Sequence, residues 1–367
     1  MPPEPLPGRI ASLDQFRGYT VLGMFVVNFL GSFAAIPEIL KHHADHVTYA
    51  DTIMPGFFFA AGFSYRLTFL RRLASGVPPA AARIAALRRS LGLILIGIVV
   101  YHLDGGAPTW ADLQSLGVRG FLAQAFQRDP FQALVHIGVT SIWVLPVIGS
   151  RPKAILAWIA LSAALHVWAS SAGYYGWVMT RPGIDGGPLG FLTWTIPMLS
   201  GALAHDVVLR RDPGPSSPTR LVLWGSLVMV LGYLLSRVGV ILEPSPGSMI
   251  LADPPFTSPT GVTGMWTMSQ RAGSVSYLVF GAGFSLALYG LFVEACDVRG
   301  FRLGLLDTLG RNALVGYILH ELVGEAVKPY APRDAPVPYV LFALTIYLGI
   351  TWVFLRFLEK RGIFIRL

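Results

Sequence analysis

Runs of mainly apolar residues long enough to cross a bilayer recur along this chain, and they constrain its fold more than any other feature. A hydrocarbon core takes about 20 such residues in a helix. By that rule ten spans are predicted, near 18–36, 51–70, 88–103, 131–149, 153–173, 190–209, 220–242, 273–295, 305–327 and 337–356. The third is short, and 153–173 is interrupted by Ser162, His166 and Ser170. The expected fold class is an all-α integral membrane protein, a single bundle of about ten transmembrane helices in one domain over 1–367. The composition agrees, with 53% hydrophobic and 13% charged residues, where a soluble domain carries roughly 25% charged. A mean hydropathy of +0.58 leaves more apolar surface than a soluble fold can hide.

The basic residues set the expected orientation. With a cytoplasmic N-terminus, 20 of the 28 Lys and Arg fall in inside segments, and the bias persists loop after loop. Both termini are therefore predicted to be cytoplasmic, 1–17 as an N-terminal segment and 357–367 as a tail. The net charge of +8 lies in short loops, so it marks topology and no nucleic-acid partner is expected. The lone cysteine, Cys296, excludes an internal disulfide, a CxxC redox pair and a thiolate zinc site. The first apolar run ends without an A-x-A cleavage site and nine more follow, so it reads as a retained helix. The stretch 210–220, RRDPGPSSPTR, has the composition of a flexible inside loop. Outside segments near 104–130, 174–189 and 243–272 are rich in Gly, Pro and Trp, as folded-back loops or short interfacial helices would be.

Ionisable groups at membrane depth are costly and mark candidate sites. His136, His166, Arg237, Glu294 and the pair His320–Glu321 qualify singly. For His136 and His166 the plainer reading is a satisfied structural contact between helices. Arg237 and Glu294 lie near span ends, where long side chains snorkel. The stretch Asn28–Asp51, NFLGSFAAIPEILKHHADHVTYAD, differs because its groups cluster: Glu38, Lys41, His42, His43, Asp45, His46 and Asp51 lie between two spans, at a predicted outer mouth. Asp51 has two readings, a partner for a histidine or a helix N-cap together with Thr52. The histidines sit in a loop with no HExxH spacing and no cysteine, so no metal is expected. Neutral histidine is the commonest general base near neutral pH. There is no Walker A loop, dinucleotide fingerprint or G-x-S-x-G elbow, which leaves ATP-driven transport and serine hydrolysis without support.

These motifs resemble a known family. RIASLDQFRGYTVLGMFVVNF (9–29) is similar to the opening signature of the heparan-α-glucosaminide N-acetyltransferase family and its bacterial relatives, within the transmembrane acyltransferases. That signature, R-x-x-S-[LV]-D-x-[FL]-R-G and a helix ending V-N, is matched at Arg9, Ser12, Leu13, Asp14, Phe16, Arg17, Gly18, Val27 and Asn28. The next block, T-x-x-D-L-[VI]-[FM]-P-x-F-x-F-x-x-G after a His-Ala-rich loop, is matched at Thr48, Asp51, Pro55, Phe57, Phe59 and Gly62. LVHIGVT (134–140) resembles an L-Q-R-[IL]-G segment with His136 where the family has arginine. DGGPLGFLTWTIPMLSGALA (185–204) and SVSYLVFGAG (274–283) resemble two further blocks, the first with glycine for an acidic residue. LGRNALVGYILHEL (309–322) matches G-x-N-[AS]-x-x-V-Y-x-x-x-E at Gly310, Asn312, Ala313, Tyr317 and Glu321. The resemblance thus spans nearly the whole chain.

It implies a multi-pass enzyme, here of the bacterial cytoplasmic (inner) membrane. Such an enzyme takes acetyl from cytoplasmic acetyl-CoA as co-substrate and delivers it to an amine or hydroxyl of a sugar or glycan on the other side. The implied catalytic asparagine is Asn28. The implied histidine is His43 by alignment on His-Ala or His42 by alignment on Lys-His, with His46 third, because the family's W-N-G is missing after the histidine. The histidine would act as general base or transient acyl carrier, Asn28 would stabilise the oxyanion, and Asp51 would orient the histidine. Asp14 and Arg17 would shape the CoA entrance. Arg71, Arg72, Arg88 and Arg89 would attract its phosphates or serve only as topology determinants. Asn312, His320 and Glu321 are further substrate-binding candidates. Trp110, Trp177 and Trp266 suit either sugar stacking or the membrane interface. The partners expected are acyl-CoA, the glycan acceptor, the lipid bilayer and a second copy in a homodimer. The rival class is a transporter or flippase of lipid-linked glycans without CoA chemistry.

Overall fold

The computed structural model describes residues 10–102, 107–125, 131–181, 183, 185–209, 216–242, 251–261 and 263–364, and among these every regular element is helical. The helices are α1 (Ala11–Leu30), α2 (Ile53–Ala74), α3 (Pro79–His102), α4 (Trp110–Ala125), α5 (Ala133–Val144), α6 (Pro152–Ala169) and α7 (Tyr175–Met179). They continue with α8 (Gly190–Leu209), α9 (Ser217–Ser236), α10 (Val238–Leu242), α11 (Val275–Phe292), α12 (Gly304–Arg311), α13 (Ala313–Val327) and α14 (Val337–Lys360). Much of the predicted inside loop 210–220 and of the outside segment 243–272 lies outside the described residues.

Among the described residues, six helical segments are long and apolar enough to cross a membrane: Ala50–Ala74, Pro152–Met179, Gly187–Leu209, Ser217–Leu242, Val275–Val298 and Val337–Lys360. Their burial divides them. The most apolar windows of the segments holding α2, α8 and α11 are 72%, 78% and 61% buried, whereas those holding α6, α9 and α14 are 22%, 17% and 33% buried. The first three form the inner wall, and the second three present apolar side chains outward, as lipid-facing helices do. The chain is a multi-pass integral membrane protein.

Two predicted spans change shape. α1 starts at Ala11 rather than near residue 18, because its polar first turns have partners that a hydropathy count ignores. Ser12 donates through its backbone N–H to Asp297 (3.0 Å), and Gln15 exchanges hydrogen bonds with the backbone of Leu303 (3.0 Å each). The predicted span 305–327 is broken at Asn312 (φ −116°, ψ 33°), which separates α12 from α13.

Glycines let the inner helices touch backbone to backbone, as small residues do in membrane packing. A Cβ on Gly18 would lie 2.0 Å from Leu306 O, and one on Gly310 1.9 Å from Asp14 O, so α1 and α12 meet through reciprocal glycines. Gly62 and Gly201 do the same for α2 and α8, with Met198 O and Phe59 O at 1.7 and 1.9 Å.

The helix directions locate the site. Ile53 packs on Gly23 and Gly56 lies over Thr20, so α2 runs antiparallel to α1. α2, α8 and α11 run parallel and begin at one level. Trp194 stacks on Phe58 with ring centroids 4.5 Å apart and meets Tyr277 edge-on at 6.1 Å, while Pro55 packs against Gly281. The Gly186 N–H donates to Arg271 O at 3.2 Å, joining the loops that enter α8 and α11. The segment between α1 and α2 was expected at an outer mouth. It doubles back there: with Ile53 beside Gly23, seven residues short of Leu30, α2 starts about 10 Å below the end of α1 at 1.5 Å per residue. Tyr49 confirms the return, its hydroxyl 2.9 Å from that of Tyr19.

Candidate active site

Asp51 is fully buried in the short 3₁₀ turn Ala50–Thr52 that precedes α2. Its Oδ1 lies 2.6 Å from His42 Nδ1. Its Oδ2 accepts from the Thr48 backbone N–H (2.7 Å) and hydroxyl (3.0 Å). The expected N-cap role takes a different form, since the carboxylate reaches back to Thr48 and α2 has no side-chain cap. A carboxylate only accepts, so the His42 proton sits on Nδ1 and the Nε2 lone pair is left for chemistry. Burial pulls the His42 ring toward its neutral form. The hydrogen bond and charge of Asp51 outweigh that, with Asp185 and Gln270 adding to them, and the imidazole pKa lies above its ordinary value.

Asp185 and Gln270 arrive from the loops that enter α8 and α11. Both are buried, and Gln270 Nε2 donates to Asp185 Oδ1 at 3.0 Å. Trp194 Nε1 donates to the Asp185 carbonyl (2.8 Å), and Tyr277 donates its hydroxyl to the Asp51 carbonyl (2.7 Å). The N-terminal ends of three parallel helices thus surround the His42–Asp51 pair. Their N-terminal dipoles give this end of the site a partial positive charge.

Asn28 pairs with His320 rather than with a loop histidine in the contacts made here. Its Nδ2 lies 3.3 Å from His320 Nε2, and His320 Nδ1 is hydrogen-bonded to the Tyr317 carbonyl. A carbonyl only accepts, so Nδ1 carries the proton and Nε2 accepts from Asn28. This engages one N–H of the Asn28 amide and leaves the other for a second acceptor. His320 is 4% exposed, stacks on Phe25 at 6.1 Å and receives the Tyr347 hydroxyl on its carbonyl at 3.1 Å. Tyr317, one turn inward of His320, meets Phe57, one turn inward of Ile53, at 6.5 Å.

Residues 9–210 match the family described as heparan-alpha-glucosaminide N-acetyltransferase, catalytic. The chain belongs to this family. The match covers more than half of the 367 residues and includes Asn28, the histidine loop, Asp51 and Asp185. The block 309–322, which also resembles the family, lies beyond the matched segment, as does Gln270. No curated protein matches the chain.

In the loop between α1 and α2, the remaining candidates form a second group. His43 Nε2 lies 3.2 Å from Glu38 Oε2, His46 Nδ1 lies 2.8 Å from Asp45 Oδ1, and the two rings stack with centroids 4.4 Å apart. At the opposite end of α1, Asp14 and Arg17 pair at 3.5 Å. Arg71 and Arg72 occupy the last turn of α2, and Arg72 and Arg89 approach closely enough for their charges to act on each other. Asn312 is 2% exposed with Oδ1 buried and without a hydrogen bond, while Glu321 lies half exposed, 3.5 Å from His320.

The expected satisfied contacts at His136 and His166 are incomplete. His136 is fully buried between Phe131 and Trp194 with neither ring nitrogen hydrogen-bonded, and His166 lies 3.4 Å from Ser170 with its Nε2 buried and without a hydrogen bond. Arg237 pairs with Asp253 at 3.3 Å and Glu294 with Arg299 at 2.9 Å. Trp177 stacks on Tyr174 beneath Arg181, and Trp110 is exposed at the start of α4. Asp185 and Gln270 were not singled out as site residues from sequence. The only signal was the aspartate opening the 185–204 block, 134 positions from its neighbour Asp51.

Proposed function

We propose that this protein moves an acetyl group from cytoplasmic acetyl-CoA to an amine or hydroxyl of an extracytoplasmic sugar or glycan, with His42 as general base. The observation that carries this reading is the His42–Asp51 pair, a base whose tautomer and orientation are set by a buried carboxylate. In the proposed reaction His42 Nε2 takes the proton of the acceptor amine or hydroxyl as the acceptor attacks the thioester carbonyl. The C–S bond then breaks and the His42 proton passes to the leaving CoA sulfur. The free N–H of Asn28 donates to the oxyanion that develops on the carbonyl.

The remaining parts follow the same axis. Arg17, Arg71, Arg72 and Arg89 lie toward the cytoplasmic end and are assigned to the CoA phosphates. α1 and α2, α3 and α5, and α9 and α11 each run antiparallel, while α1 runs parallel to α13. These directions are those of alternating spans, and the excess of Lys and Arg in alternate loops is what assigns both termini to the cytoplasm in this reading. The bacterial cytoplasmic membrane is the assigned location.

The test is turnover of radiolabelled acetyl-CoA by purified protein given amine and hydroxyl sugar acceptors. His42→Ala should abolish turnover, and His43→Ala should lower it without abolishing it, with both variants folded. A wild-type protein that consumes no CoA thioester with any acceptor would favour the transporter class instead.

A further inference from the structure

We propose that His43, Asp45 and His46 bind one divalent transition-metal cation, with Zn²⁺ as the reference ion, and that this cation fastens the loop carrying His42. One donor atom from each of the three side chains lies within 4.8 Å of the other two. The imidazole rings of His43 and His46 stack with centroids 4.4 Å apart, which brings their ring nitrogens to one side of the loop. His43 Nε2 is buried without a hydrogen bond, although Glu38 Oε2 is 3.2 Å away. A cation between them would satisfy both atoms, with Glu38 as a fourth donor.

The frame around these donors is held independently of them. The Thr48 hydroxyl is shared between Asp51 Oδ2 (3.0 Å) and the Lys41 carbonyl (2.7 Å), and Ser269 donates its hydroxyl to the Ala44 carbonyl (2.5 Å). The backbone on both sides of His43 is thereby fixed from outside the cluster. Two imidazoles with one or two carboxylates make a mixed nitrogen and oxygen set. That set suits Zn²⁺, Co²⁺ or Ni²⁺ and not the all-oxygen cations Mg²⁺ and Ca²⁺. The loop lacks the family's W-N-G after its histidine, and the Asp45–His46 pair stands in the altered part. This assignment replaces the sequence expectation of no metal, and it is independent of the acetyl-transfer reading.

The experiment uses full-length protein without a histidine tag, in detergent, stripped with a chelator and dialysed. Co²⁺ is titrated while its visible absorption is recorded, Zn²⁺ content is measured by elemental analysis, and melting is followed with and without Zn²⁺. The expected result is one ion per chain, a ligand-field spectrum and a raised melting temperature. The His43→Ala/His46→Ala double variant and Asp45→Asn should lose all three, while His42→Ala keeps them. Should the double variant not fold, His46→Gln takes its place and must lose the spectrum. Absence of a stoichiometric ion in the wild type overturns the proposal. So does binding that survives in the double variant or in His46→Gln.

Discussion

Asp51 holds His42 Nδ1 at 2.6 Å with one carboxylate oxygen while Thr48 donates twice to the other. The carboxylate has no solvent contact, so both of its oxygens depend on these donors for hydrogen bonds. Removing the charge while keeping the shape therefore isolates its role. In Asp51→Asn the amide has to offer one oxygen and one NH₂ to partners that all donate, so either Thr48 or His42 loses its acceptor. The expected outcome is a kcat lower by about 100-fold or more, with KM for acetyl-CoA nearly unchanged. Turnover of labelled acetyl-CoA by a variant that elutes as the folded protein measures it, and a kcat within about threefold of wild type would sink the assignment.

The same pair marks how much could be read from the chain. The apolar runs, the histidine cluster and the Asp51 motif were visible because each is local. The choice among His42, His43 and His46 was not, since the return of the loop along α1 depends on Ile53 meeting Gly23 across the helix pair. His320 read as a substrate-binding group at membrane depth, yet its Nε2 faces Asn28, 292 positions away in sequence. Nothing near Arg66 in sequence announces its partner Asp206, 140 positions on. Hydropathy reports which segments enter the bilayer. It does not report which polar groups find each other there.

Asn28 and His320 separate a reacting group from the one that positions it. Asn28→Ala should lower kcat by about 10²–10³-fold, the usual loss of one oxyanion donor. His320→Ala should cost less, about 10-fold, because Asn28 remains but its amide is no longer held. His320→Gln, whose carbonyl can accept from Asn28, should recover most of that loss. Steady-state kinetics of the three variants check the scheme, and a glutamine variant no better than alanine would count against positioning through Nε2.

The α1–α12 contact makes a stability prediction free of catalysis. A Cβ on Gly18 or Gly310 would meet backbone oxygen at 2.0 or 1.9 Å, and backbone cannot rotate away. Gly18→Ala and Gly310→Ala should each destabilise by at least about 1–3 kcal/mol, the cost of overpacking. Gly349, in exposed α14, has open space at its Cβ, so Gly349→Ala should stay within about 0.5 kcal/mol of wild type. Melting in detergent compares them, and equal melting temperatures for all three would refute the close approach.

Arg66 and Asp206 bind through two parallel N–H···O contacts of 2.8 Å, and a third Arg66 nitrogen donates to Ile148 O at 2.5 Å. Their side chains are 4% and 9% exposed, and His205 Nδ1 lies 3.0 Å from the same carboxylate. Removing one partner leaves a buried charge with less compensation, which costs about 3–5 kcal/mol, whereas replacing both by apolar residues of similar volume is often nearly neutral. Arg66→Met alone should therefore lower the melting temperature sharply, and Arg66→Met combined with Asp206→Leu should regain much of the loss. A double-mutant cycle on melting in detergent gives the coupling directly. A double variant no more stable than Arg66→Met would mean that the pair is held for a reason other than mutual charge compensation.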